Sequence, residues 1–195
     1  MPEAARRSWL LGPFSLWIGF FWGLAEATLF FIVPDIWLTL VALFSVKQSG
    51  KVLAAILLGA MVGGSFMFFW GQARPGPATA AVLHVPFVSE TMFSKTHQDL
   101  EDYRLWALVK APASGIPYKL YAVQASRYAR LLPFLLITLL ARIERFALFW
   151  FIACAIGMVF RRSIDRRPSV AAVTHACIWV AGYTWYWTAI TRIGR

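Results

Sequence analysis

The chain has 195 residues, 59% of them apolar and 14% charged, against the near-even apolar share and roughly one-quarter charged share of soluble domains. Its 19 Lys and Arg outnumber 9 Asp and Glu, a net charge of +10, yet the basic residues stand in short clusters at the margins of apolar runs, as Arg6-Arg7, Lys47 with Lys51, and Arg161, Arg162, Arg166 and Arg167 do. That placing suits anionic lipid headgroups, and it argues against both a nucleic-acid-binding domain and an ordinary water-soluble one.

Residues 1–9 read as a cytoplasmic flank. An apolar run follows from 10 to 33, is interrupted by Pro34-Asp35, and resumes only over 36–46. The second piece is too short to cross a bilayer, which takes about 20 helical residues. Because Pro34 also disfavours helix at the residue before it, the two pieces are expected to form a broken helix or a re-entrant hairpin. Arg6-Arg7, the apolar run and Ala25-Glu26-Ala27 imitate a cleavable signal peptide. Cleavage there would leave an apolar start at Thr28-Leu29-Phe30-Phe31, so it is not expected.

Residues 52–70 read as a plain span in which Gly59, Gly63 and Gly64 allow a second backbone to come close. Residues 71–103 open with Arg74-Pro75-Gly76-Pro77 and end polar, and are expected as a surface loop, partly helical. Lys110, Pro112, Gly115, Pro117 and Lys119 break the next apolar stretch, so a second re-entrant hairpin is expected over 104–126. Residues 131–160 form a further span, with Pro133 in its first turn. A basic loop and a last span over 169–190 complete the chain, with Tyr183, Trp185, Tyr186 and Trp187 as an aromatic belt.

Placing Pro34 over Pro117 sets 52–70 opposite 135–153, so each half reads as interrupted segment, connection and long span. The expected fold class is thus an all-α integral membrane protein: two re-entrant hairpins, each followed by a transmembrane helix, arranged as an inverted repeat, plus an extra C-terminal transmembrane helix. The membrane domain covers 10–160, and 161–195 holds the basic loop and last helix. Alternating loops between two faces puts Arg6, Arg7, Lys47, Lys51, Arg161, Arg162, Arg166 and Arg167 on one side, expected to be cytoplasmic, and Arg74, Lys95, Arg104, Arg127, Arg130, Arg192 and Arg195 on the other.

Glu26, Asp35, Lys110, Lys119, Arg142, Glu144 and Arg145 fall within or beside apolar segments, where an unpaired charge costs about 2.5–3.5 kcal/mol on insertion scales. Mutual pairing or a water-filled cavity can offset that. Glu26 lies eight residues before Pro34 and Lys110 seven before Pro117, so hairpins meeting tip to tip would set acid against base. The surplus of cations suits a lipid phosphate. Alternatively, Arg142, Glu144 and Arg145 mark the start of a shorter span over 146–160 with snorkelling arginines, Asp35 is a surface turn residue, and Lys110 is interfacial. Cys154 and Cys177 read as packing residues and His175 as a helix-to-helix hydrogen bonder. No nucleophile elbow, phosphate loop or paired-His motif is present, so no enzyme, cofactor or metal site is expected.

The runs Ala25-Glu26-Ala27-Thr28 to Phe31, Pro34-Asp35, Gly115-Ile116-Pro117-Tyr118-Lys119-Leu120-Tyr121, and Ala141-Arg142 with Arg145-Phe146 resemble the DedA family of VTT-domain membrane proteins, particularly its YqaA-like branch. The resemblance spans 20–160. It implies transport or scrambling of an anionic lipid, either a phospholipid or an undecaprenyl phosphate type, with proton coupling, in a bacterial inner (plasma) membrane. It makes Glu26 the hairpin acid, Pro117 and Lys119 the proline and basic pair, and Arg142 the helix arginine. Asp35 and Arg145 complete the candidate substrate and proton site, with Pro34 and Pro117 as the hairpin breaks. The chain departs from the family in having Phe68 where a tyrosine is usual, Ala125-Ser126 for Ala-Gly, and Lys119 for arginine. Lysine lacks arginine's bidentate fork. Lipids with anionic headgroups and protons are the expected partners, a homo-oligomer is left open, and a non-transporting assembly or scaffold protein is the alternative function. A small channel is disfavoured because no span is amphipathic enough to line a wide pore.

Overall fold

The computed structural model of the protein describes residues 10–193, without the side chains of 112–114, 187 and 189–193. The expected flank at 1–9 lies outside the described residues, as does Arg195. Among the described residues the fold is all-helical: α1 (Phe14–Ala27), α2 (Asp35–Phe44), α3 (Val46–Ala73), α4 (Pro75–Leu83), α5 (Glu90–Tyr103), α6 (Ala107–Ser114), α7 (Tyr118–Gln124), α8 (Leu131–Val159), α9 (Arg161–Arg166) and α10 (Pro168–Ile193).

Both proline-marked segments are broken. After α1 the amides of Thr28 and Phe30 fold back onto the Ala25 carbonyl, and helix resumes only at Asp35. Trp22 Nε1 donates to the Ile32 carbonyl at 3.0 Å and pins the connecting turn against α1. In the second segment Gly115 ends α6 at φ +71°, a left-handed cap that glycine adopts without steric cost. Pro117 then opens α7 from an extended conformation.

Glycine sets how closely these pieces pack. A side chain at Gly63 would put its Cβ 2.6 Å from the Leu24 carbonyl oxygen and 3.0 Å from Ala27 Cβ, and one at Gly59 would overlap the Phe20 backbone. The close approach expected at Gly59 and Gly63 is therefore made by α1, which runs alongside the first two-thirds of α3. Gln48 Nε2 reaches the Gly12 carbonyl at 3.0 Å and marks the level at which α1 begins. Chain continuity from the tip back to Val46 requires α2 to run opposite to both. The second segment mirrors this from the other end. Tyr118 meets Gly64, and Val123 meets Gly71, so α7 runs from the middle of α3 to its C-terminal end. Helix α8 is antiparallel to α3, with Trp150 Nε1 donating to Ser49 Oγ at 2.8 Å near one end and Phe134 against Phe68 near the other.

Residues 71–103, expected as a surface loop that is partly helical, are mostly two helices. Pro75 starts α4 with a preset φ, and Ser89 caps α5 by accepting from the Met92 amide. Thr96 and Leu100, four apart, bury one stripe of α5. The basic loop contains the one-and-a-half-turn helix α9.

Helix α3 is long and apolar enough to cross a membrane. Large apolar side chains stand exposed on the outward faces of the long helices, among them Trp17, Phe21, Leu58, Phe66, Leu136 and Phe151. Lys47 and Lys51 lie at the same end as Arg161, whose Nη1 donates to the Phe44 carbonyl at 3.5 Å, as the division of basic residues between two ends anticipates. Cys154 is buried beside Ser49, whereas Cys177, also expected as a packing residue, is exposed on α10.

Candidate functional site

Glu26 reaches the interior because α1 carries a narrow stripe of small residues. Ser15, Gly19, Gly23, Glu26 and Ala27 share the buried face at spacings of three and four. On α8 the corresponding stripe is Phe134, Thr138, Ala141, Arg142 and Phe146. The two stripes bring Arg142 Nη1 within 2.7 Å of Glu26 Oε2, with both side chains less than one-tenth exposed. One turn along α8, Arg145 Nη2 donates to Asp35 Oδ2 at 2.8 Å. Asp35 is the first residue of α2, where the helix dipole favours a carboxylate.

Lys119 enters from the second segment. Its Nζ donates to the Phe30 carbonyl at 2.7 Å, so the basic residue of one tip binds the backbone of the other. The Arg142 guanidinium lies 4.2 Å from the centroid of the Tyr118 ring and 5.8 Å from that of Phe146. Tyr118 is itself held by a 3.1 Å contact between its hydroxyl and Thr138 Oγ1. All five predicted charges, Glu26, Asp35, Lys119, Arg142 and Arg145, together with Pro117, line one cavity of about 450 Å³. That volume lies within the range of small-molecule sites.

Two charged residues at the edge of the expectation, Lys110 and Glu144, do not join this group. Lys110 was set opposite Glu26 by its distance from Pro117, yet it is exposed and lies 3.2 Å from the Tyr103 ring centroid. The buried face of α6 is Ala107, Leu108 and Ala111, and 100° per residue turns Lys110 away from it. The partner of Glu26 is Arg142 instead. Glu144 is exposed for the same reason, two residues past Arg142 and on the far side of α8. Helix α8 is continuous from Leu131 and buries Arg142, so this arginine does not snorkel outward as the alternative expected. Pro34 caps α2 just outside the cavity wall.

Aromatic residues that the sequence reading left aside complete the cavity. The Val33 amide donates to the Tyr183 hydroxyl at 2.8 Å, and the Tyr186 hydroxyl donates to the Gly115 carbonyl at 3.4 Å. Neighbouring side chains of α10 thus touch both tips. Tyr183 and Tyr186, expected with Trp185 and Trp187 as an aromatic belt, stand three residues apart on one face and reach the two tips, while Trp185 also lines the cavity and is 72% exposed. That i, i+3 spacing was the available signal. Phe87, at φ +66°, also lines the cavity and meets Phe31 at 6.5 Å between ring centroids. His175 bridges helices as expected, with Nε2 2.8 Å from Thr39 Oγ1.

Several buried polar atoms here have no hydrogen-bond partner among the described residues: Arg142 Nε and Nη2, Arg145 Nε, and Asp35 Oδ1. Buried groups of this kind normally find one. Three cations against two carboxylates leave one positive charge, and guanidinium edges suit the oxygens of a phosphate or carboxylate. Either carboxylate can also take a proton.

No family model, no curated protein and no solved structure matches the chain. The reading of function therefore rests on this cavity and on the motifs that line it.

Proposed function

We propose that the protein is a membrane transporter or scramblase for an anionic lipid, of the DedA kind, with α1–α2 and α6–α7 as re-entrant hairpins and α3 and α8 as the spans of an inverted repeat. The lipid is of the phospholipid or polyprenyl phosphate type, and the setting is the inner membrane of a bacterium. The observation that carries this reading is a cavity of net charge +1 at the meeting point of two broken-helix tips, with guanidinium N–H groups left over to take phosphate oxygens. Transporter sites of this kind lie between discontinuous helices near the bilayer midplane. The exposed apolar faces of the long helices support a lipid surrounding. A proton arriving on Asp35 or Glu26 would release its arginine for the headgroup and couple proton to lipid.

Purified protein in liposomes tests the proposal, with a fluorescent phospholipid and a polyprenyl phosphate assayed in parallel. Transbilayer movement above that in empty vesicles is expected for at least one of them. Movement of neither would overturn the reading.

The two ion pairs also favour a second reading, an assembly subunit whose charges lock helices, because each joins the first hairpin to α8. Lys119→Ala separates the two. A transporter variant loses lipid movement while its stability falls by no more than about 1 kcal/mol, one hydrogen bond's worth, whereas a scaffold moves no lipid before or after the change.

A further inference from the structure

A second cavity, of about 630 Å³, lies outside the charged one, between α8 and α10 with Thr39 and Leu43 of α2 at its back. Helix α10 is held to α2 by the His175–Thr39 contact and adjoins α9, and its Trp179 ring meets Phe149 of α8 at 5.9 Å between centroids. Beyond that pair the two long helices stand apart. Ile152 and Ile156 form one wall of the gap, and Val170 and Ile178 the other. Its two ends differ. Phe149, Trp179 and Gly182 close one end and also line the charged cavity. Ser163 and Arg167 sit at the other, beside Arg161, Arg162 and Arg166 and a single acid, Asp165, which accepts from Arg161 at 3.0 Å.

We infer that this groove binds one anionic phospholipid, with an acyl chain between α8 and α10 and the phosphate on Arg167. Length and charge decide the occupant. From Phe149 to Phe160 the groove runs roughly 16 Å at 1.5 Å per helical residue, close to one leaflet of a hydrocarbon core about 30 Å thick. Its walls are apolar along that length and only its far end is cationic, the pattern of an acyl chain beneath an anionic headgroup. The charge at the mouth selects among lipids: guanidinium groups and the positive end of the α10 dipole attract a phosphate, and no unpaired carboxylate of α9 opposes it. The site does not depend on transport, because it involves none of the five charges of the first cavity. It places a lipid chain one aromatic pair away from them.

Native mass spectrometry of the full chain tests this, after detergent washing and addition of phosphatidylglycerol or phosphatidylcholine with identical tails. One bound phosphatidylglycerol per chain is expected, retained roughly fivefold to tenfold more than phosphatidylcholine. Arg167→Glu, at an exposed position, should abolish that preference while leaving weak binding of both lipids. Ala171→Phe, which fills the groove, should remove both at an unchanged melting temperature, and Ile156→Phe reads the same if the first variant does not fold. Equal retention of the two lipids by the wild type, or full retention of phosphatidylglycerol by a folded groove-filling variant, overturns the inference. So does a dimer that Ala171→Phe dissociates.

Discussion

The two hairpins reach the same cavity but are fastened differently. The first carries both carboxylates, each bound to an arginine of α8, and its helix α1 lies glycine-close against α3. The second brings a lysine whose described partner is a backbone carbonyl of the opposite tip, held by one hydrogen bond of 2.7 Å. A charge in an ion pair cannot be given up without stranding its partner, whereas a lysine on a carbonyl can exchange that carbonyl for a stronger anionic acceptor. The first segment is therefore held by two ion pairs, and Lys119 by a single hydrogen bond to a carbonyl.

The comparison is sharpest at Glu26. Glu26→Ala leaves the Arg142 guanidinium buried without its counter-ion and should cost about 3–5 kcal/mol, read as a large drop in melting temperature in detergent. Replacing both members, Glu26→Met with Arg142→Met, should recover most of that loss, because a well-packed apolar pair replaces a buried ion pair at little cost. If the double variant is as unstable as the single, the pair is not the fastening described.

Asp35→Asn should cost less, about 1–2 kcal/mol in the same measurement, because the Arg145 side chain is 25% exposed and can turn to water. Lys119→Met should cost about 1 kcal/mol in stability, one hydrogen bond's worth. Its loss of lipid movement in liposomes should be roughly tenfold or more, the equivalent of a charge-assisted contact in the rate-limiting state. A large stability loss at Lys119 would erase the contrast between the hairpins. As the smallest effect, Asp165→Asn, in an exposed pair with Arg161 on α9, should shift stability by under about 0.5 kcal/mol.

Much of this was legible residue by residue. Pro34 and Pro117 marked both breaks, since a missing amide and a restricted preceding residue act wherever the chain lies. Gly59 and Gly63 announced a close helix, though not that the helix would be α1. Local pattern could also have removed Lys110 and Glu144, because helical phase turns both from the buried face. The extent of helix within 71–103 was obscured by Pro-Gly-Pro at the start of α4 and by the polar composition of α5, yet Pro75 and the Ser89 cap were there to be read.

By itself the sequence determined an all-helical chain with two proline-broken segments, long apolar stretches of which 52–70 lies in a helix able to span a membrane, and a set of charges in costly places. These follow from local propensity, backbone chemistry and hydropathy, which need no knowledge of neighbours. Only the tertiary structure decided that Glu26 pairs with Arg142, 116 residues further along the chain, that Lys119 grips the other tip, and that Tyr183 and Tyr186 close the cavity from a helix outside the motif-bearing region. Such pairings depend on which faces meet when glycine stripes pack and helices run antiparallel, and that geometry is set by the whole fold.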